Sequence, residues 1–138
     1  MGTFKESYQE PPQRALVVED DLWMKPLISL ALQSSIYDVE IDWVESAEEA
    51  IRRARHFRYR VILADIYLKP NGNTGIEFWY QCREEYPETP IVLMSSIPVD
   101  HFSKKMGLYG PHYLPKPFSL TQCKNVIRSL VSVDGATA

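Results

Sequence analysis

A chain of 138 residues, 45% of them hydrophobic, has the size of one ordinary domain with a proper core, and the expectation is a single domain without a second. Its formal net charge of −3 supplies no global field to recruit nucleic acid or anionic lipid. The longest apolar run falls far short of a membrane span and the first residues lack an apolar signal core, so the expectation is a soluble, cytoplasmic protein.

Residues 1–12 are polar, end in Pro11-Pro12 and read as a tail. The first apolar run, Ala15-Leu16-Val17-Val18, defines a strand over 14–18 and stops at three acids, Glu19, Asp20 and Asp21. A helix follows. Pro26 has no N–H and fits a first turn, so that helix is expected to begin late, near Trp23. The stretch 39–44 alternates Val39, Ile41 and Trp43 against Glu40 and Asp42, the pattern of a more exposed edge strand.

Ser46-Ala47-Glu48-Glu49 then matches a capping box, in which hydroxyl and acid satisfy orphan backbone donors reciprocally. Ala47, Ala50, Ile51 and Ala54 form the apolar stripe of the helix it opens. Arg52, Arg53, Arg55, His56, Arg58 and Arg60 make the one basic stretch, read as the solvated face of that helix and its following loop. A second uninterrupted run, Val61-Ile62-Leu63-Ala64, ends in a lone acid, Asp65. Thr74-Gly75-Ile76-Glu77 opens another helix with the same capping pattern.

A third run, Ile91-Val92-Leu93-Met94, stops at the hydroxyl pair Ser95-Ser96. The stretch beyond it carries Pro98, Gly107, Gly110 and Pro111, so a helix there should be short or irregular. A strand over 112–114 leads through Tyr113-Leu114 into Pro115-Lys116-Pro117-Phe118. Ser119-Leu120-Thr121-Gln122 caps the last helix, whose stripe is Leu120, Cys123, Ile127, Leu130 and Val131. Residues 132–138 are small and polar and read as a second tail, leaving 13–131 as the domain. Cys82 and Cys123 lie in expected helices without metal-type spacing and read as packing residues, and His56, His101 and His112 are too scattered for ligands.

Runs of aliphatic residues without polar alternation are what strands buried on both faces look like, and such strands belong to parallel sheets covered by helices. Strand and helix signals alternate, which predicts an α/β, flavodoxin-like doubly wound (βα)5 fold with a five-stranded parallel sheet in the order 2-1-3-4-5. Strands one, three and four would be central, and they are the three uninterrupted runs. All carboxyl ends then share one rim, where open α/β sheets bind ligands. Glu19, Asp20 and Asp65 gathered there would repel one another unless a cation neutralised them, and an all-oxygen site suits Mg²⁺.

An acidic pair after the first strand, Asp65 after the third, Ser95 after the fourth and Lys116-Pro117 after the fifth together resemble the receiver domain of two-component response regulators, over about residues 13–131. The resemblance implies that Asp65 is the phosphoacceptor, attacking a phosphohistidine on a sensor histidine kinase or histidine phosphotransfer protein. It implies that Glu19, Asp20, Asp65 and the main-chain carbonyl of Tyr67 hold Mg²⁺. Lys116 would pair with one phosphoryl oxygen, and Ser95 with its neighbour's N–H would bind another. Capture of the phosphoryl group by Ser95 would turn Tyr113 inward as the switch. The Lys116–Pro117 peptide would be cis.

The implied function is a stand-alone response regulator of a phosphorelay, a phosphoacceptor signalling domain rather than an enzyme, passing its signal to a downstream protein by contact or by onward transfer. No nucleic-acid or membrane partner is expected, and the state is monomer or weak homodimer. Two departures bear on this. The interval Asp65–Gly75 is about two residues longer than is common in the family and Ser95–Lys116 about one shorter, which affects partner access and the usual dimer surface. The alternatives are a receiver-like interaction module independent of phosphorylation and, further off, a haloacid-dehalogenase-like phosphatase. The phosphatase needs a second Asp two positions after the nucleophile, where this chain has Tyr67.

Overall fold

The computed structural model describes residues 12–68, 74–96 and 112–136. In chain order the elements are β1 (Arg14–Val18), a 3₁₀ turn (Leu22–Met24), α1 (Lys25–Ser35), β2 (Glu40–Val44), α2 (Ala47–His56), β3 (Val61–Asp65), α3 (Thr74–Glu85), β4 (Ile91–Ser95), β5 (His112–Pro115) and α4 (Leu120–Ala136). The five strands form one parallel sheet in the order β2-β1-β3-β4-β5, as the alternation of signals predicts. β1, β3 and β4 are central, and β3 and β4 are buried at every residue. β2, with its alternating pattern, is an edge and is only half-buried along most of its length.

The sheet divides the core into two layers. On one face Ala15, Val17, Leu63, Val92 and Met94 pack under α1 and α4, which contribute Ile28, Ala31, Leu32, Cys123, Ile127 and Val131. On the other, Leu16, Val18, Ile62, Ala64 and Leu93 pack under α2 and α3, which contribute Ala50, Phe78, Trp79 and Cys82. This alternation along each strand is the period-two geometry of a sheet covered on both sides. Cys82 and Cys123 are buried free thiols, each pushed up to about 12 by burial, which makes them inert packing residues.

Helix starts follow the capping chemistry. The Ser46 hydroxyl accepts from the Glu49 N–H, and Ser119 and Gln122 form the reciprocal box, with the Ser119 N–H donating to Gln122 Oε1 at 2.8 Å and the Gln122 N–H to Ser119 Oγ at 3.1 Å. Ser119→Ala is expected to lower stability by about 1 kcal/mol in a urea melt, because it leaves one orphan donor unsatisfied. The first helix starts slightly later than its pattern suggests. Asp21 accepts from the Trp23 N–H and closes a 3₁₀ turn, and α1 proper begins at Lys25 with Pro26 in its first turn. Residues 69–73 and 97–111, with the side chain of Thr74, lie outside the described residues, so the capping box at Thr74, the lengthened loop after Asp65 and the irregular helix after Ser96 do too.

The amino ends of the strands carry a polar network. Arg14 pairs with Glu40 at 3.0 Å and Asp42 at 3.2 Å, its guanidinium lies 4.0 Å from the Phe57 ring centre, and Tyr59 donates to Asp42 at 2.7 Å. Arg60 donates to Gln13 and to the Val131 carbonyl. In the basic stretch, Arg53, Arg55 and His56 fall in the last turn of α2, where positive charge offsets the helix dipole.

Candidate functional site

Parallel pairing in register brings Val18, Ala64, Leu93 and Tyr113 abreast, so the residues that follow converge on one rim. Backbone hydrogen bonds past the strand ends hold the tips: Glu19 N–H to Val44 O at 2.9 Å, Ile66 N–H to Met94 O at 3.0 Å and Lys116 N–H to Ser95 O at 2.7 Å. The chemistry therefore sits on rigid strands rather than on long loops.

Glu19 and Ser95 are almost fully buried, at 2% and 4% exposure, and Asp65 is 9% exposed. One carboxylate oxygen from each of Glu19, Asp20 and Asp65 lies within 4.8 Å of the others. Lys116 reaches into this cluster. Its Nζ is 2.6 Å from Glu19 Oε2 and 3.0 Å from Asp65 Oδ2. The remaining oxygens accept from main-chain donors, Glu19 Oε1 from the Asp21 N–H at 3.1 Å and Asp65 Oδ1 from the Tyr67 N–H at 3.2 Å.

Burial pushes the Glu19 carboxyl up to about 7, although Lys116 pulls it the other way, and the Asp65 charge adds to the rise. For Lys116, burial alone would lower the ammonium, but its hydrogen bond to Glu19 and the charges of Asp65 and Glu19 outweigh that and hold it above its usual range. Among the described residues the cluster is thus a net negative group of hard oxygen donors with a single ammonium in it. Such a donor set fits a small divalent cation like Mg²⁺, and it has no thiolate or imidazole to favour a softer metal.

Of the residues expected at the site, Glu19, Asp20, Asp65 and Lys116 come together directly. Ser95 ends β4 beside Pro115 of β5. Tyr113 is half-buried against the α2/α3 layer of the core. Tyr67 stands at the rim with its N–H on Asp65, and the Lys116–Pro117 peptide is cis as expected. Two features carried no sequence signal. Leu22 and Trp23, which directly follow the acidic run in the chain, are 53% and 66% exposed apolar side chains. Gly75 packs directly on the backbone that follows β3: a Cβ built there would lie 2.1 Å from the Asp65 carbonyl oxygen and 2.7 Å from Ile66 Cα, and its N–H donates to Ile66 O.

A family model for the response regulator receiver domain matches residues 15–128. Among curated proteins, the response regulator ArlR of Staphylococcus saprophyticus is 32% identical over 120 residues, 86% of this chain and 52% of that protein. The transcriptional regulatory protein ResD of Bacillus subtilis is 31% identical over 108 residues, 77% of this chain and 42% of ResD. The chain spans about half the length of the curated relatives it matches. Among solved structures, the chemotaxis response regulator CheY4 of Vibrio cholerae superposes with a TM-score of 0.70 at 24% identity, covering 87% of this chain and 99% of that one. The receiver domain of the sensor histidine kinase PA1611 from Pseudomonas aeruginosa, described with a magnesium ion in its active-site cleft, gives 0.70 at 23% identity, covering 88% and 99%.

Proposed function

The chain belongs to the response regulator receiver domain family, and from that premise we propose that Asp65 accepts a phosphoryl group from a histidine kinase or histidine phosphotransfer protein and that the aspartyl phosphate switches the domain between two signalling states. The observation that carries this reading is the convergence of Lys116 on Asp65 and Glu19 at the mouth of the acidic pocket.

In the transfer, an oxygen of the Asp65 carboxylate attacks phosphorus, the P–N bond to the donor imidazole breaks, and the imidazole nitrogen keeps the electron pair and takes a proton. The protein has little covalent work to do beyond placement and neutralisation. The Tyr67 N–H fixes the orientation of Asp65 through Oδ1, so the nucleophile is presented in one rotamer. Lys116 pairs with an oxygen of the arriving phosphoryl group, and the Ser95 hydroxyl with the Ser96 N–H receives another. Glu19, Asp20, Asp65 and the Tyr67 carbonyl would hold Mg²⁺. When bound there, the ion supplies neutralisation of the transferred oxygens.

The switch we infer is local. The Ser95 hydroxyl can bind the phosphoryl group only when that group is present, and the shift of its loop changes the room available to Tyr113, which already packs on the α2/α3 layer. The signal then passes by protein contact or by onward transfer. A protein partner is supported by the exposed apolar side chains of Leu22 and Trp23, which follow the acidic run directly in the chain. The same domain architecture without a complementing general acid at position 67 argues against a phosphohydrolase. Among the described residues no helix is long and apolar enough to cross a membrane.

The test is incubation with acetyl phosphate, with and without Mg²⁺, followed by intact mass. One added phosphoryl group that requires Mg²⁺ and is labile to hydroxylamine is expected; no adduct under any condition overturns the reading, and catalytic release of phosphate from many esters would favour a hydrolase. Tyr67 adds a quantitative expectation. We infer that this large side chain, two residues after Asp65, screens the acyl phosphate from water, so Tyr67→Asn should hydrolyse faster, by roughly 3- to 10-fold, as followed by the decay of the phosphorylated mass. Equal lifetimes would remove the shielding role.

A further inference from the structure

We infer that the second half of α2 and the loop behind it form a docking surface for an acidic peptide segment of a protein partner: Arg52, Arg55 and Arg58 present unpaired guanidinium groups there, on a backbone pinned by the network around Phe57 and Tyr59. The loop runs into the start of β3, where the Arg60 N–H donates to the Arg14 carbonyl at the start of β1. The surface therefore lies at the amino ends of the strands, the end of the sheet away from Asp65, and the inference does not depend on what Asp65 does.

Residues 52–60 hold five arginines and a histidine with no acid among them, in a chain of formal charge −3. The helix dipole accounts for only part of this. It is equivalent to about half a negative charge at a C-terminus, and Arg53 and Arg55 in the last turn already exceed that. Two of the five are committed elsewhere: Arg60 donates to Gln13 and the Val131 carbonyl, and Arg53 acts on the charge of the buried Tyr59 hydroxyl. Arg52, Arg55 and Arg58 are exposed, and among the described residues their side chains make no hydrogen bond and no ion pair. Available acids are not used. Glu48 stands four positions before Arg52 without pairing with it, and Glu85 of the neighbouring helix acts on Tyr86 as Arg55 does, yet the two form no bridge. Like charges three apart on a helix repel, so the surplus on this face is relieved when an anion covers it.

The backbone that carries these groups is fixed before any partner arrives. The Phe57 N–H donates to the Arg53 carbonyl at 3.0 Å and the Arg60 N–H to the Arg14 carbonyl at 2.8 Å, which holds the loop at both ends. Between them the Phe57 ring lies 4.0 Å from the Arg14 guanidinium and meets Tyr59 edge-on at 6.4 Å, while Tyr59 is anchored on Asp42. Binding then costs little ordering of the loop. Guanidinium groups grip carboxylates in planar pairs, which an ammonium does not. The same packing decides against other polyanions. Phe57 is covered by Arg14 and Tyr59 is only 6% exposed, so the loop has no aromatic platform for bases, and the acidic remainder of the chain repels an extended phosphate backbone. A ring held in that way is not available to insert into a membrane. A short segment with several Asp or Glu side chains matches the short row of three arginines.

Fluorescence anisotropy of a labelled oligoglutamate peptide, titrated with the full chain at about 0.01 M and about 0.15 M ionic strength, tests this. Binding is expected at the lower salt and should weaken at the higher, with amide NMR shifts centred on residues 52–60. Arg55→Gln with Arg58→Gln is expected to bind roughly tenfold more weakly than the wild type. Lys124→Gln with Arg128→Gln removes the same charge from α4 and should stay close to the wild type. Equal weakening in the two double variants would reduce the effect to net charge and overturns the inference, as does the absence of binding at low salt. Tighter capture of a single-stranded DNA oligomer, or of phosphatidylserine vesicles, than of the peptide overturns it as well. If the Arg55 and Arg58 variant lacks a cooperative urea melt, the wild-type amide shifts decide, and shifts centred away from α2 and its loop overturn the inference. Peptide binding at this face without any phosphoryl adduct would sink the proposed function alone.

Discussion

Asp65→Asn is expected to leave no detectable phosphoryl adduct after exposure to acetyl phosphate and Mg²⁺, while the domain stays folded. The amide is close in shape to the carboxylate and keeps an oxygen to accept from the Tyr67 N–H, so the local geometry survives. It has no anionic oxygen to attack phosphorus, and nucleophilic transfer fails without one. Stability should not fall. Asp65 shares a buried cluster with Glu19, and taking one negative charge away relieves repulsion there, while Lys116 keeps its shorter contact to Glu19. Intact mass reports the first effect and a thermal melt the second. A full adduct on the Asn variant would place the acceptor elsewhere in the chain, whereas loss of both folding and adduct would mean that Asp65 serves structure as much as reaction.

Gly75→Ala is expected to destabilise the domain by roughly 2–4 kcal/mol and to slow phosphorylation with it. The added methyl would sit 2.1 Å from the Asp65 carbonyl oxygen and 2.7 Å from Ile66 Cα, both main-chain atoms at the tip of a central strand. Neither can swing aside as a side chain would. Relief requires α3 to lift off β3, which also strains the Gly75 N–H bond to Ile66 O and shifts the residue carrying the nucleophile. Urea melts measure the stability change, and initial rates of adduct formation measure the displacement of Asp65. A variant with wild-type stability would show that the start of α3 stands further from β3 than these contacts indicate.

Much of this architecture is legible in the residues, and the reason is periodicity. Ala15–Val18, Val61–Ala64 and Ile91–Met94 have no polar interruption, and they are the three central strands because only strands covered on both sides tolerate that pattern. The edge position of β2 is written in its alternation, and two helix starts in Ser46 and Ser119, whose hydroxyls do what the capping pattern requires. The acids, the hydroxyl and the lysine are legible because each follows directly on such a run, so parallel register alone brings them to one rim.

Other features depend on distances through space. Gly75 sits inside a plausible capping pattern, Thr74-Gly75-Ile76-Glu77, and nothing local distinguishes a glycine chosen for close backbone approach from one that merely opens a helix. The preference of Lys116 for Glu19 over Asp65 is a difference of a few tenths of an ångström between two carboxylates 46 positions apart in the chain, beyond any spacing rule. The exposure of Trp23 depends likewise on the turn: in the 3₁₀ turn closed by Asp21 it is Met24 that takes the buried place, and Trp23 stays exposed.

The hydrogen bond from Arg60 to the Val131 carbonyl joins positions 71 residues apart, and α4 supplies Cys123, Ile127 and Val131 to one whole layer of the core. A polypeptide emerging from the ribosome in order would present β1, β3 and β4 with that layer half uncovered until α4 is released. The apolar undersides of these strands therefore stay exposed until α4 has been made, and that helix acts as the closing lid of the layer.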